Sequence, residues 1–181
     1  MNFVALFQAL DTSQSTNSKR DALVAFIRES DPLESALAIE ALTDRARGKR
    51  LKPNVLKQTA YLAFGEDRWL FEECYAAVGD LSETLAILFA DQETSPEITR
   101  PVLADWIHRQ EKLGQLELGE LTNELLSLLK AFSKDEAFLF LKLSSGGFRV
   151  GVNKGLVHDA VAQAVAVDRA IIEERLMGEF I

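Results

Sequence analysis

The amino-acid sequence predicts an all-α fold, a compact bundle of roughly ten to twelve short helices. Apolar residues recur at helical spacing, for example in residues 121–132 and 156–165. The sustained apolar/polar alternation of half-buried strands is absent, and so are the Asn-Gly and Asp-Gly dipeptides typical of hairpin turns. A chain of 181 residues fits one domain, 1–181, and leaves open whether two similar helical halves make it up.

The helix boundaries follow from residues that satisfy free backbone N–H groups at helix starts. Several positions have the spacing of such caps: Asp31-Pro32 with Glu34, Asp80 with Glu83, Ser133 with Glu136, Ser95-Pro96, and Asp168. We interpret these side chains as caps and not as catalytic groups. In chain order, the predicted helices lie near residues 2–10, 18–29, 32–43, 53–64, 67–78, 80–90, 96–113, 117–132, 134–144, 153–165 and 168–177.

Composition excludes several classes of protein. Hydrophobic residues make up 48% of the chain, as in ordinary globular proteins. A single cysteine, Cys74, excludes an internal disulfide, and two histidines are too few for a Cys/His zinc cluster. The sequence has no apolar run long enough for a membrane span, and the start lacks the basic region of a secretory signal. We therefore expect a cytoplasmic protein with no membrane partner.

Charge is distributed unevenly along the chain. The net charge of −8 excludes a wholly basic nucleic-acid binder but allows a basic face. Residues 44–57 carry six basic side chains against one acid, and residues 130–155 carry five against two. Residues 66–97 carry nine acids against one arginine. Each basic segment is either a solvated surface or a strip that binds phosphates.

The most informative segment is SSGGFRVGVNKG, residues 144–155. Gly146 and Gly147 can end one helix in a left-handed conformation. Gly151 lets the backbone approach another surface closely. No Gly-Lys-Ser/Thr follows at the spacing of a Walker A loop, so a nucleotide-binding loop of that type is excluded.

The next helix begins where this segment ends. Asn153 is a good N-cap, and Arg149 and Lys154 lie on either side of it. A helix N-terminus with free N–H groups and nearby cations favours a phosphate ligand. A plain link between two helices explains the glycines equally well, so both interpretations stay open at this point.

A second such place is the polar cluster Ser15-Thr16-Asn17-Ser18-Lys19-Arg20. Basic residues in the first turn of a helix are electrostatically unfavourable, unless a bound anion offsets them. Thr16 and Lys19 are therefore candidate phosphate contacts. The alternative is a capping cluster with surface charges.

Four segments together resemble one protein family: STNSK at 15–19, EECYAAVGDLSET at 72–84, GGFRVGVNKGLV at 146–157 and RLMG at 175–178. In order and spacing they are similar to the N-terminal DNA-binding domain of bacterial ATP-dependent DNA ligases. The resemblance covers nearly the whole chain. It implies an all-helical domain that grips the backbone and minor groove of nicked double-stranded DNA in replication, repair and recombination.

The resemblance also implies what this chain lacks. Such ligases take AMP on the lysine of a Lys-x-Asp-Gly motif, which is absent here, and the chain ends at Ile181 just after RLMG. We expect a domain without ligase activity or cofactor, whose parent enzyme would use ATP and Mg²⁺. Its partners would be nicked DNA and the parent's nucleotidyltransferase and OB-fold domains. The implied DNA contacts are Thr16, Lys19, Lys49, Arg50, Gly146, Gly147, Arg149, Gly151, Asn153 and Lys154.

Other residues invite a functional interpretation that we decline. Neither His108 nor His158 has a second metal ligand at a recognised spacing, so no metal or catalytic residue is predicted. Cys74 and the Trp69-Leu70-Phe71 run are interpreted as buried core. The main alternative function is a helical protein–protein interaction module that uses the acidic residues 66–97. A hydrolase with a carboxylate metal site is disfavoured, because no paired ligand motif exists.

Overall fold

A computed structural model describes residues 1–43, 51–90, 102–146 and 150–177, and every regular element it defines there is helical. The prediction of an all-α fold is confirmed. A short 3-10 helix, Gly65–Asp67, precedes the fifth α-helix. The α-helices are α1 (Phe3–Thr12), α2 (Thr16–Glu29), α3 (Pro32–Leu42), α4 (Pro53–Phe64), α5 (Arg68–Val78), α6 (Leu81–Phe89), α7 (Leu103–Leu113), α8 (Leu118–Ala131), α9 (Lys134–Ser145), α10 (Lys154–Val165) and α11 (Arg169–Met177).

Several helices begin at the caps expected from the sequence. The Asp80 carboxylate accepts a hydrogen bond from the N–H of Glu83, 3.0 Å away. Ser133 and Glu136 form a complete capping box at the start of α9. Asp168 accepts from the N–H of Ala170 at the start of α11. Ser95-Pro96 lies outside the described residues.

The chain folds as two compact units, and the first consists of Met1–Ala46, Ile98–Asp105 and Phe148–Ile181. Within it, α2 packs along α10, and α1, α3 and α11 pack around this pair. Phe3 of α1 meets Phe26 of α2 edge to face, with ring centroids 6.5 Å apart. Val157, Val161 and Ile172 form a buried cluster that joins α10 to α11.

The second unit consists of Arg47–Glu97 and Trp106–Gly147. Here α4 packs against α8, and α6 against α9. Trp106, Phe132 and Phe140 form a mutual aromatic cluster with centroids 5.5–6.2 Å apart. The first turn of α7 belongs to the first unit and the rest of α7 to the second. The division into units leaves the expectation of one domain, 1–181, a prediction.

The start of the helix predicted near residue 96 is wrong. Val102 is not helical, and α7 begins at Leu103. The cap is tertiary: the Glu34 carboxylate, buried in α3, accepts from the N–H groups of Val102 and Leu103 at 3.0–3.2 Å. Glu34 therefore caps a distant helix and not its own. Its local spacing after Asp31 indicated the wrong partner.

The interpretation of the Trp69-Leu70-Phe71 run as core is right only for Phe71. Phe71 is fully buried, whereas Trp69 is 64% exposed and Leu70 is 42% exposed. Successive residues of a helix point about 100° apart, so three in a row cannot all face one core. Cys74 is half-buried and not fully buried as expected.

None of the helices in the described ranges is long and apolar enough to cross a bilayer.

Candidate functional site

The first unit places the N-termini of α2 and α10 at the same end. Lys19, in the first turn of α2, donates a hydrogen bond to the carbonyl of Val150, just before α10 begins. At the other end, Arg28 in the last turn of α2 donates to the carbonyls of Gln163 and Ala164 in the last turn of α10. The two helices therefore run parallel, and the positive ends of their dipoles lie side by side.

Lys19 and Gly151 form the centre of this end. Lys19 Nζ lies 2.7 Å from the Val150 carbonyl oxygen and is half-buried. Gly151 has a φ of +62°, and a Cβ there would lie 2.9 Å from Lys19 Nζ. The left-handed backbone favours glycine here, and a Cβ would also displace the Lys19 ammonium. The expectation of a close approach at Gly151 is confirmed, and its partner is the Lys19 side chain.

The start of α10 is built by Asn153, Lys154 and Gly155. Asn153 is the N-cap, and its side-chain oxygen accepts from the N–H of Leu156 at 2.9 Å. A Cβ at Gly155 would lie 3.3 Å from that same oxygen, so glycine leaves room for the cap. The described residues provide no acceptor for the N–H groups of Lys154 and Gly155. Among the described residues, these two donors therefore lack an acceptor, and the Lys154 side chain beside them is exposed.

The start of α2 likewise has a polar N-cap and a lysine in its first turn. Ser15 is the N-cap and accepts from the N–H of Ser18 at 3.4 Å, and Thr16 is the first helical residue and exposed. Neither α2 nor α10 has an acid in its first turn. Acids are the residues that usually stabilise a helix start, and here lysines take their place. Two dipole ends, Lys19 and Lys154 therefore concentrate positive potential at one end of the unit.

Arg169 is a nearby cation that no sequence pattern indicated. Its guanidinium lies 3.5 Å from where a Cβ of Gly155 would be, beside the first turn of α10. It is paired with Asp159 at 2.7 Å and Glu173 at 2.9 Å. These carboxylates raise the pKa of Arg169 above its ordinary value, chiefly through the hydrogen bond to Glu173. Arg169 therefore ties α10 to α11, and its charge is largely offset.

The structure brings together five of the ten candidate residues: Thr16, Lys19, Gly151, Asn153 and Lys154. Gly146 belongs to the second unit, where it ends α9 in the left-handed conformation predicted for it, with a φ of +76°. Lys49, Arg50, Gly147 and Arg149 lie outside the described residues, so their placement stays a prediction.

The described residues offer little for metal or acid–base chemistry. They contain no group of three or more His, Cys, Asp and Glu side chains arranged to hold a metal ion. His158 faces one carboxylate, Glu173, at 3.6 Å. What the end of the α2–α10 pair can do chemically is hold an anion, through N–H donors, lysine charge and helix dipoles.

Comparison with known proteins gives the same family as the sequence motifs. The family described as "DNA ligase N terminus" matches residues 1–162. A DNA ligase of Methanobrevibacter smithii is 25% identical to this chain over 111 residues. That alignment covers 59% of this chain and 20% of the ligase, so the chain spans a small part of its relative's length.

Proposed function

Because the chain belongs to the DNA ligase N-terminal family, we propose that it binds the backbone of double-stranded DNA without sequence preference. The contact would lie at the paired N-termini of α2 and α10. One phosphate would accept from the N–H groups of Lys154 and Gly155 and lie near the Lys154 ammonium. The observation that carries the proposal is the parallel pairing of two helix starts that have lysines and no acids.

Lys19 has a different role in this proposal from the one expected. Its ammonium already donates to the Val150 carbonyl, so one of its three protons is used inside the protein. It would fix the backbone before α10 and add charge, while Lys154 and Thr16 would meet the phosphates. Contacts of this kind position a protein on DNA and carry no sequence information. A domain that must act at any break needs that property.

The proposal extends to the parent enzyme. We propose that the substrate is nicked duplex DNA, held through its backbone and minor groove in replication, repair and recombination. We further propose that Lys49, Arg50, Gly146, Gly147 and Arg149 contribute to DNA binding, as the family resemblance implies. Nucleotidyltransferase and OB-fold domains would catalyse the joining reaction with ATP and Mg²⁺, and this chain would hold the DNA.

The test is the salt dependence of binding to a labelled nicked duplex, measured by fluorescence anisotropy. The dissociation constant should rise steeply with salt, because each neutralised phosphate releases counterions. Lys154→Gln should weaken binding and lower the slope of log K against log salt by about 1. Duplexes of unrelated sequence should respond by the same factor.

The matched control is Arg28→Gln, which removes one positive charge at the opposite end of the same helix pair. It should leave the salt slope unchanged. Equal slopes for Lys154→Gln and wild type, or an equal loss in Arg28→Gln, would reject the proposed site. Absence of binding even at low ionic strength would reject DNA binding by this chain.

A further inference from the structure

The second unit exposes an apolar helix face that DNA binding does not explain. Nine large apolar side chains are exposed in the described residues, and four of them lie between residues 62 and 78. Leu62 lies in α4, and Val78 lies about 180° around α5 from Trp69, so Trp69 and Leu70 are the two that share a face of α5. An exposed tryptophan beside further apolar residues is typical of an interaction surface.

The face belongs to α5 and lies opposite its core. Phe71 and Tyr75 point inward, with rings stacked 6.2 Å apart, and Phe71 also meets the Tyr61 ring edge to face. Outward, α5 presents Trp69, Glu73 and Ala76, which are spaced i, i+4, i+7 and all exposed. Leu70 and Ala77, also exposed, run beside them. The result is a stripe with one large anchor at its start and two alanines that allow a second helix to approach closely.

Acids lie at the N-terminal end of this stripe and within it. Glu66, Asp67 and Glu73 are exposed, and none of them forms an ion pair with another described residue. The one arginine here, Arg68, lies over the Tyr61 ring at 5.2 Å. The face therefore combines the apolar Trp69, Leu70, Ala76 and Ala77 with one acid among them, Glu73, and two acids at its N-terminal end, Glu66 and Asp67.

We propose that this α5 face, defined as Trp69, Leu70, Glu73, Ala76 and Ala77 with the acids at 66 and 67, docks a basic amphipathic helix of another protein. An apolar stripe on the partner would cover the anchor tryptophan. Lysines or arginines beside that stripe would meet the acids, which gives the interface complementary charge.

The same charges argue against two other occupants. DNA phosphates would be repelled by the acids of this face. A second copy of the chain in a two-fold dimer would bring each acidic face against itself, which like charges disfavour. The proposal does not depend on DNA binding by the first unit.

The probe is a synthetic amphipathic peptide of about 18 residues with a leucine stripe and lysine flanks, long enough to lie along α5. Binding of the fluorescein-labelled peptide to the full chain is measured by anisotropy. Quenching by acrylamide reports coverage of Trp69, because the other tryptophan, Trp106, is 1% exposed. The peptide should bind and protect Trp69, and a version with glutamate in place of lysine should not.

Variants identify the face. Trp69→Ala should weaken peptide binding at least about tenfold, the effect of losing a central aromatic anchor. Glu73→Lys should also weaken it. The matched control is Leu118→Ala, which removes a comparably exposed apolar side chain at the start of α8 and should have no effect. All three positions are exposed, so circular dichroism should show unchanged folding.

Three results would overturn the proposal. The first is peptide binding by Trp69→Ala within about twofold of wild type. The second is protection of Trp69 by nicked duplex DNA. The third is a chain dimer that Trp69→Ala dissociates. Lys154→Gln should leave peptide binding unchanged, so failure here is distinguishable from failure of the DNA proposal.

Discussion

The tertiary cap on α7 predicts that Glu34→Ala is strongly destabilising. Glu34 is 2% exposed, and its carboxylate accepts from the buried N–H groups of Val102 and Leu103. Losing an N-cap costs about 0.5–2 kcal/mol, and each buried donor left without a partner costs about 1–3 kcal/mol. Because one substitution leaves two buried donors without a partner, we expect a loss of about 3 kcal/mol in the free energy of unfolding.

The assay is urea unfolding followed by circular dichroism, with amide hydrogen exchange at residues 102 and 103 as the local readout. Exchange at these amides should quicken more than exchange in the core of the second unit. The control is Glu29→Ala, since Glu29 is exposed and pairs with the N-terminus at 3.7 Å. That change should cost less than about 1 kcal/mol. Equal losses in the two variants would refute the assignment of Glu34 as the cap.

The protonation of Glu34 gives a second readout. Burial raises the pKa of Glu34 above 4.5, although the N–H groups of Val102 and Leu103 act in the opposite direction. A carboxyl whose pKa rises on folding stabilises most below its unfolded pKa, and this contribution is lost as pH rises through the folded pKa. The stability gap between wild type and Glu34→Gln, which does not titrate, should therefore narrow from acid to neutral pH. A difference in stability that grows from acid to neutral pH would contradict the raised pKa of Glu34.

Two further predictions concern the ends of other helices. The Lys142 ammonium forms an ion pair and a hydrogen bond with the Asp80 carboxylate. Burial opposes ionisation of Asp80, but the bond to Lys142 and the bonds from backbone N–H groups outweigh it and hold the pKa of Asp80 below 3.8. Lys142→Gln should lower the free energy of unfolding, measured in urea at neutral pH, by about 1 kcal/mol. This loss should vanish as pH falls through the pKa of Asp80 in the folded protein. A loss that does not change with pH would contradict the ion pair's role. Gly151→Ala should cost about 1–2 kcal/mol, because it places a Cβ in left-handed backbone against Lys19 Nζ. Gly119→Ala, with open space around its Cβ, should not destabilise, and equal effects of both alanines on thermal unfolding would count against the contact.

Local signals predicted most of the fold. Ser133 and Glu136 lie three residues apart, so the capping box at α9 is readable from sequence alone. The start of α7 was missed because its cap comes from Glu34, 68 residues earlier in the chain. The exposure of Trp69 was missed for a related reason: residue type indicates burial, but only the rotation of α5 about its axis decides which residues face the core.

At the candidate site, too, a contact from a distant part of the chain decides what a residue does. Sequence identified Lys19 correctly as an unfavourable cation in the first turn of a helix, and offered a bound phosphate as the explanation. The structure provides another partner, the carbonyl of Val150, which lies 131 residues away. That bond offsets part of the cost without any ligand, so Lys19 is weaker support for a phosphate site than its position suggested. At the paired helix starts, the cation left for an anion is therefore Lys154, whose exposed ammonium and backbone N–H have no such partner among the described residues.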